Sequence, residues 1–233
     1  MTTATAARNG KAPKPAPPPE APQPMIDISR IQVERIIVPI RGVTPLIVHA
    51  WSEKAMTMIL DAQQGRKAPK ERRDPDADYE ASLYRLPPLG VSPHPGPGRF
   101  GFPTDAFKAA IVSAARFFGK DVSMVGLRQS IFLTGELGSD GLMLTPIEGT
   151  PHSRRDMVRI GQGSADVRFR GEFTEWRANL VVTYVKSLLS KESVLSLIDA
   201  AGMGVGVGEW RPERRGQFGT FEIDPDRQIE SVR

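Results

Sequence analysis

Two helical stretches, each framed by runs of β-branched residues, restrict this chain more than any other feature of its sequence. From Thr104 to Phe118, the apolar residues Phe107, Ile111, Ala114, Ala115 and Phe118 recur on one helix face, with Lys108 and Arg116 off it. Pro103 and Thr104 mark the start of this helix and Gly119 its end. From Ser190 to Ala201, Val194, Leu195, Leu197 and Ile198 form a second apolar face behind a serine N-cap, and Gly202 closes it. Strand-like runs lie around the two helices: Val33 to Val48 interrupted at Gly42, Trp176 to Lys186, and Phe218 to Ile223. Between the helices, Ser130 to Leu137 and Leu142 to Pro146 are joined by Gly138-Ser-Asp-Gly141, a hairpin signal. With one hairpin strand set aside as an elaboration, the order predicts an α+β fold with a ferredoxin-like or RRM-like βαββαβ core. Two helices would cover one sheet face and leave the other open for a ligand or partner.

Long additions decorate this core. Residues 1–28 are rich in Pro and Ala without apolar periodicity, which predicts a disordered tail. A single RRM-like domain would span 29–224, with insertions at about 65–103 and 150–175 and a flexible tail at 225–233. Before the first insertion, Trp51 to Gln64 reads as a helix with Ser52 as N-cap and Met56, Ile59 and Leu60 as its stripe. Within it, Arg66 to Arg73 are basic and Asp74, Asp76, Asp78 and Glu80 read as a flexible acidic spacer; Tyr79, Leu83 and Tyr84 suggest a short strand. Residues 87–103 predict an exposed loop tied back at Phe100 and Phe102. The second insertion predicts a protruding β-hairpin, Met157 to Ile160 and Ala165 to Phe169.

The composition excludes several kinds of chemistry. The chain has no cysteine, which removes disulfides and thiolate sites. No apolar run approaches the roughly 18 residues that span a bilayer, and no secretory leader is visible, so a cytoplasmic protein without membrane contact is expected. Asp74-x-Asp76-x-Asp78 resembles a calcium loop only in part: Tyr79 stands where that loop needs glycine, and Arg85 where it needs a bidentate Glu. His49, His94 and His152 lack ligand spacing, and no G-x-S-x-G elbow occurs. These absences predict no metal, no cofactor and no enzyme.

Gly202 to Phe221 is the most informative stretch. Gly204, Gly206 and Gly208 would let backbone amides approach an anion, Arg211, Arg214 and Arg215 would meet phosphates, and Trp210 and Phe218 could stack on bases. The plainer reading is a helix end turning into a strand with exposed arginines. No G-x-G-x-x-G or Walker A pattern is present. The hairpin's Arg154, Arg155, Arg159, Arg168 and Arg170 form a second candidate, diluted by Asp156, Asp166 and Glu172. Phe132 and Tyr184 are candidate stackers on the open sheet face.

Three segments carry a family resemblance. G-V-G-E-W-R-x-x-x-x-G-x-F-G-x-F, from Gly206 to Phe221, resembles the signature of the RAMP superfamily, the RRM-like proteins that form CRISPR effector backbones. F-P-T-D-A-F-K-A-A-I (Phe102 to Ile111) is similar to that family's Pro-x-Ser-x-Leu-Lys-Gly helix start, with Ala109 where the family often has Gly; G-V-T-P-L-I (Gly42 to Ile47) is similar to its first-strand end. The whole chain also resembles uncharacterised proteins of tailed phages. The RAMP resemblance implies RNA or single-stranded DNA held along a groove by a homo-oligomer or filament, with Lys108, Arg211, Arg214 and Arg215 on its backbone. Two alternatives accompany it: a phage assembly protein whose open sheet binds a neighbouring subunit, and a metal-independent ribonuclease using His49, since some RAMP relatives cut RNA with a histidine.

Overall fold

The alternation along one long strand decides how the sheet faces. In β1 (Val33–Gly42), Ile36, Val38 and Ile40 are fully buried while Arg35 is exposed between them and solvent. The computed structural model describes residues 28–51, 53–66, 73–88, 98–120, 122–160 and 164–232, with Ile31–Arg233 as one compact unit. The tail predicted at 1–28 falls outside the described residues up to position 27.

In chain order, β1 is followed by β2 (Leu46–Val48), α1 (Glu53–Gln63), α2 (Pro75–Ala81), β3 (Arg85–Leu86) and β4 (Arg99–Pro103). Next come α3 (Thr104–Ala114), a 3-10 turn at Ala115–Phe118, α4 (Met124–Ser130), β5 (Ile131–Thr134), β6 (Glu136–Leu137) and β7 (Met143–Glu148). The hairpin β8 (Pro151–Ile160) and β9 (Ser164–Phe173) precedes β10 (Arg177–Val185), α5 (Lys191–Gly204), a 3-10 turn at Pro212–Arg214, β11 (Phe221–Ile223) and β12 (Glu230–Val232). The larger sheet runs β11-β1-β10-β7-β4-β3, with β12 on β1, β5 on β10 and β6 on β7, and its pairings are antiparallel. The smaller sheet is β2-β9-β8. The protein is thus a mixed helix–sheet structure compatible with an RRM-like core.

The core lies between the larger sheet and α3 and α5. Ala178, Leu180, Val182 and Tyr184 of β10 join the inward residues of β1; Phe107 and Ile111 of α3 and Val194, Leu197 and Ile198 of α5 cover them. Tyr84, Phe102, Phe107, Phe221 and Trp176 form a chain of edge-to-face ring contacts at 5.8 to 6.2 Å. Trp176 also donates its indole N–H to Thr44 O at 2.9 Å.

Several expectations need correction. The predicted strand 33–48 is two strands in different sheets, turned at Thr44, whose hydroxyl meets that of Thr220 at 2.8 Å. The acidic spacer opens a helix: Asp74 Oδ1 accepts from the amides of Asp76 (3.1 Å) and Ala77 (3.2 Å), so α2 takes the first half of the expected Tyr79–Tyr84 strand, through Ala81. The first insertion supplies β3 and β4 to the larger sheet; of its expected exposed loop, 89–97 lie outside the described residues. The expected strand 130–137 is the end of α4 followed by β5 and β6, and the flexible tail 225–233 carries β12, paired with β1. The apolar stripe of α1 (Met56, Ile59, Leu60) is exposed.

Candidate nucleic-acid interface

The glycines after α5 fold the chain tightly onto itself. The amides of Val205 and Gly206 cap α5 on Ala201 O. Val207 N donates to Gly219 O (2.9 Å), and Glu209 N donates to Ile47 O (3.0 Å), which docks the loop on β2. Gly206 and Gly208 have φ of 69° and 79°, and a Cβ on Gly208 would come 2.5 Å from Ile47 O. A Cβ on Gly204 would meet the Phe117 ring at 2.4 Å. Gly204, Gly206 and Gly208 therefore serve close packing, and the loop's Val207 and Glu209 amides are taken by carbonyls rather than offered to an anion.

This packing projects the rest of the loop outward. Trp210 and Arg215 have φ of 57° and 65°, the only non-glycine residues with positive φ among the described residues. Each such residue costs on the order of 1–3 kcal/mol and persists only where its surroundings over-determine it. Trp210 is held from both sides: Phe218 N donates to Trp210 O (3.1 Å), and a Cβ on Gly216 would strike Trp210 O. Trp210 is 43% exposed. Arg214 and Arg215 are exposed, and no ion pair joins either to a carboxylate among the described residues. Arg211 differs. Its Nη2 is 3.1 Å from Glu213 Oε2 and its Nη1 donates to Gly208 O (3.2 Å), so one of the three proposed phosphate contacts is already committed.

Three of the hairpin's five arginines, Arg154, Arg168 and Arg170, are paired with carboxylates. Antiparallel register sets Arg154 opposite Arg170 and Asp156 opposite Arg168, so these share a face with Glu172 and Asp166. Arg154 donates to Asp156 (2.9 Å) and Glu172 (2.7 Å); Arg170, 2% exposed, donates to Asp156 at 3.1 Å. Their guanidiniums also reach the loop, Arg154 4.7 Å over the Phe218 ring and Arg170 6.0 Å from the Trp210 ring. Arg168 Nε is 3.6 Å from Asp166. Arg155 is exposed and, by register, on the opposite face; the side chain of Arg159 lies outside the described residues. Lys108 stands 4.7 Å over the ring of Phe132, which is 49% exposed. Tyr184 is 1% exposed and belongs to the core, because its neighbour Thr183 takes the place in the Arg35–Thr183–Phe132 row on the other face.

Behind the loop lies a cleft of about 230 Å³, whose lining includes His49, Tyr84, Phe102, Glu209, Arg211 and Glu213. His49 Nδ1 is 3.9 Å from Glu209 Oε1, and Arg170 Nη2 is 3.7 Å from Glu209 Oε2. Burial, then the Arg170 charge, pushes the His49 imidazole below its ordinary pKa, and burial pushes the Tyr84 phenol up to about 12. Both therefore face the cleft uncharged at neutral pH. Sequence reasoning missed Glu209 and Tyr84 here. Glu209 adjoins the singled-out Trp210, but nothing local in sequence brings it to His49.

No helix among the described residues is long and apolar enough to cross a membrane, and none of their acidic and histidine side chains group as a metal site would require. No protein-family model matches the chain, and no curated protein sequence matches it. Among solved structures, the chain is similar to the crystal structure of Cmr6 from Pyrococcus furiosus (10% identity, TM-score 0.41, 84% of this chain and 100% of that one). It is also similar to a chain in the cryo-EM structure of the Type III-B Cmr-beta bound to cognate target RNA (10% identity, TM-score 0.39, 86% of this chain and 61% of that one). At such low identity and TM-score, the functional reading rests on this chain's own residues.

Proposed function

We propose that the protein binds single-stranded nucleic acid through the loop between α5 and β11, as a subunit of a larger assembly, and acts by binding rather than by catalysis. The observation that carries this reading is the loop's exposed, uncommitted groups: the indole of Trp210, 43% exposed, and the guanidiniums of Arg214 and Arg215, exposed and in no ion pair among the described residues. A planar aromatic stacks on a base without regard to sequence, and exposed arginines neutralise phosphates. Arg35 and Phe132, both exposed in one row with Thr183, and Lys108 over the Phe132 ring offer the same kinds of group on the sheet.

We further read β1, α3, β5, β10, α5 and β11 as the βαββαβ core; the antiparallel order β11-β1-β10-β5 supports this. Self-association along the strand and a phage or CRISPR setting belong to the same proposal. The test is a mobility shift with single-stranded RNA, single-stranded DNA and a duplex of the same length, at low and moderate salt. Retention of single strands that weakens steeply with salt is expected. Failure to bind single strands at low salt would favour the rival, an assembly protein using its sheet. RNA recovered intact after long incubation is expected as well; cutting lost in His49→Ala would restore the ribonuclease alternative.

A further inference from the structure

The cleft behind the loop suits a guest that is flat, neutral and rich in hydrogen-bond donors. Its volume of about 230 Å³ lies below the roughly 300–1,000 Å³ of drug-sized ligand sites and fits a single heterocycle. His49, Tyr84 and Phe102 give it aromatic lining, while Ala106 and Ala109, one turn apart on α3, add lining without bulk. Glu209 lines it with an unspent carboxylate: its two neighbours, Arg170 at 3.7 Å and His49 at 3.9 Å, stand beyond hydrogen-bond reach.

A carboxylate only accepts, so its guest must donate. Arg170 beside Glu209 and Arg211 in the lining disfavour a cationic guest such as an arginine from a partner protein. Among the bases, guanine sets two donors side by side on its pairing edge, the ring N1–H and the exocyclic amino group. Adenine and cytosine place one donor beside an acceptor, and uracil places one donor between two acceptors. We infer that this cleft receives one guanine base of the bound strand, its ring against the aromatic lining and its two donors on the oxygens of Glu209. The inference rests on the loop being a single-strand binding site, and it adds a base preference to that site.

Uncharged nucleosides separate the cleft from the phosphate contacts. Equilibrium dialysis of the full chain should show guanosine bound at least about tenfold more tightly than adenosine, cytidine or uridine, the scale of hydrogen bonds to a charged group. Glu209→Gln, which replaces one acceptor by a donor, should abolish the preference. Ala109→Leu should fill the cleft and abolish binding; Ala109 is solvent-exposed, so thermal unfolding should stay unchanged. Equal binding of the four nucleosides, no guanosine binding, or a preference that survives both substitutions overturns the inference. Oligouridine with and without one central guanosine keeps the two readings apart. If both oligonucleotides bind equally and need Arg214 and Arg215, the loop reading stands and the guanine assignment falls. If guanosine binds the wild-type chain but neither oligonucleotide does, the cleft assignment stands and the strand reading falls.

Discussion

Replacing Arg214 and Arg215 by alanine tests the loop where the argument is most quantitative. Both are exposed, so their removal leaves no buried carboxylate behind. For single strands, each neutralised phosphate contributes about 0.7 to the slope of log K against log salt. Two contacts therefore account for a slope of about 1.4, equivalent to a roughly sevenfold loss of affinity between about 50 and 200 mM salt. The double variant should lose that share of the salt dependence in fluorescence anisotropy titrations with a labelled single strand, while its thermal unfolding is unchanged. Arg211→Ala should change the slope much less, because Glu213 already holds that guanidinium. A double variant with the wild-type slope, or an Arg211 variant with the larger effect, would refute the reasoning.

Three other outcomes follow from the same contacts. Trp210→Ala should cost about 1–3 kcal/mol of single-strand affinity with little change in salt slope, since stacking releases no counterions; anisotropy reads both quantities. Arg170→Ala should lower stability in urea by about 1–3 kcal/mol, because it takes one of two arginine partners from Asp156 and leaves Arg154 as the other; a loss below about 1 kcal/mol would show the network to be marginal. His49 makes stability depend on pH in a particular window. Burial, then Arg170, lowers its folded pKa, so as pH falls below about 6.5 the unfolded chain takes up a proton that the folded chain refuses. The unfolded state then binds more protons, and stability should fall with pH from that point. Glu136 and Glu148, held below their ordinary pKa by hydrogen bonds from Arg99 and Arg227, contribute stability lost only at lower pH, as each becomes protonated. His49→Gln should flatten the upper part of the pH profile and leave the lower part; an unchanged upper part would contradict the lowered pKa of the partly buried imidazole.

The two principal helices and most strands were legible because their apolar residues repeat at 3.6 or 2 residues against one core. Thr104 to Ala114 and Lys191 to Gly204 lie close to where their periodicity and caps put them. What escaped depends on register and on contacts between distant segments. The hairpin arginines look like a cationic surface along the chain, yet the register that sets Arg154 opposite Arg170 brings Asp156 and Glu172 among them and pairs those two guanidiniums with carboxylates. Asp74 reads as part of a spacer along the chain because its capping role shows only once the amides of Asp76 and Ala77 turn toward it. The glycine loop stands out by its composition, but its glycines serve close approach to Ile47, Phe117 and Trp210 more than anion binding. His49, Tyr84 and Glu209 belong to three remote segments that no local pattern joins.

The most direct measurement is photocrosslinking of the full chain to a single strand carrying 4-thiouridine, followed by mass spectrometric mapping. Attachment concentrated between positions 205 and 221, with Trp210 among the modified residues, is the predicted map. Attachment confined to other parts of the surface, such as the exposed apolar face of α1, with none in the loop, would contradict the account.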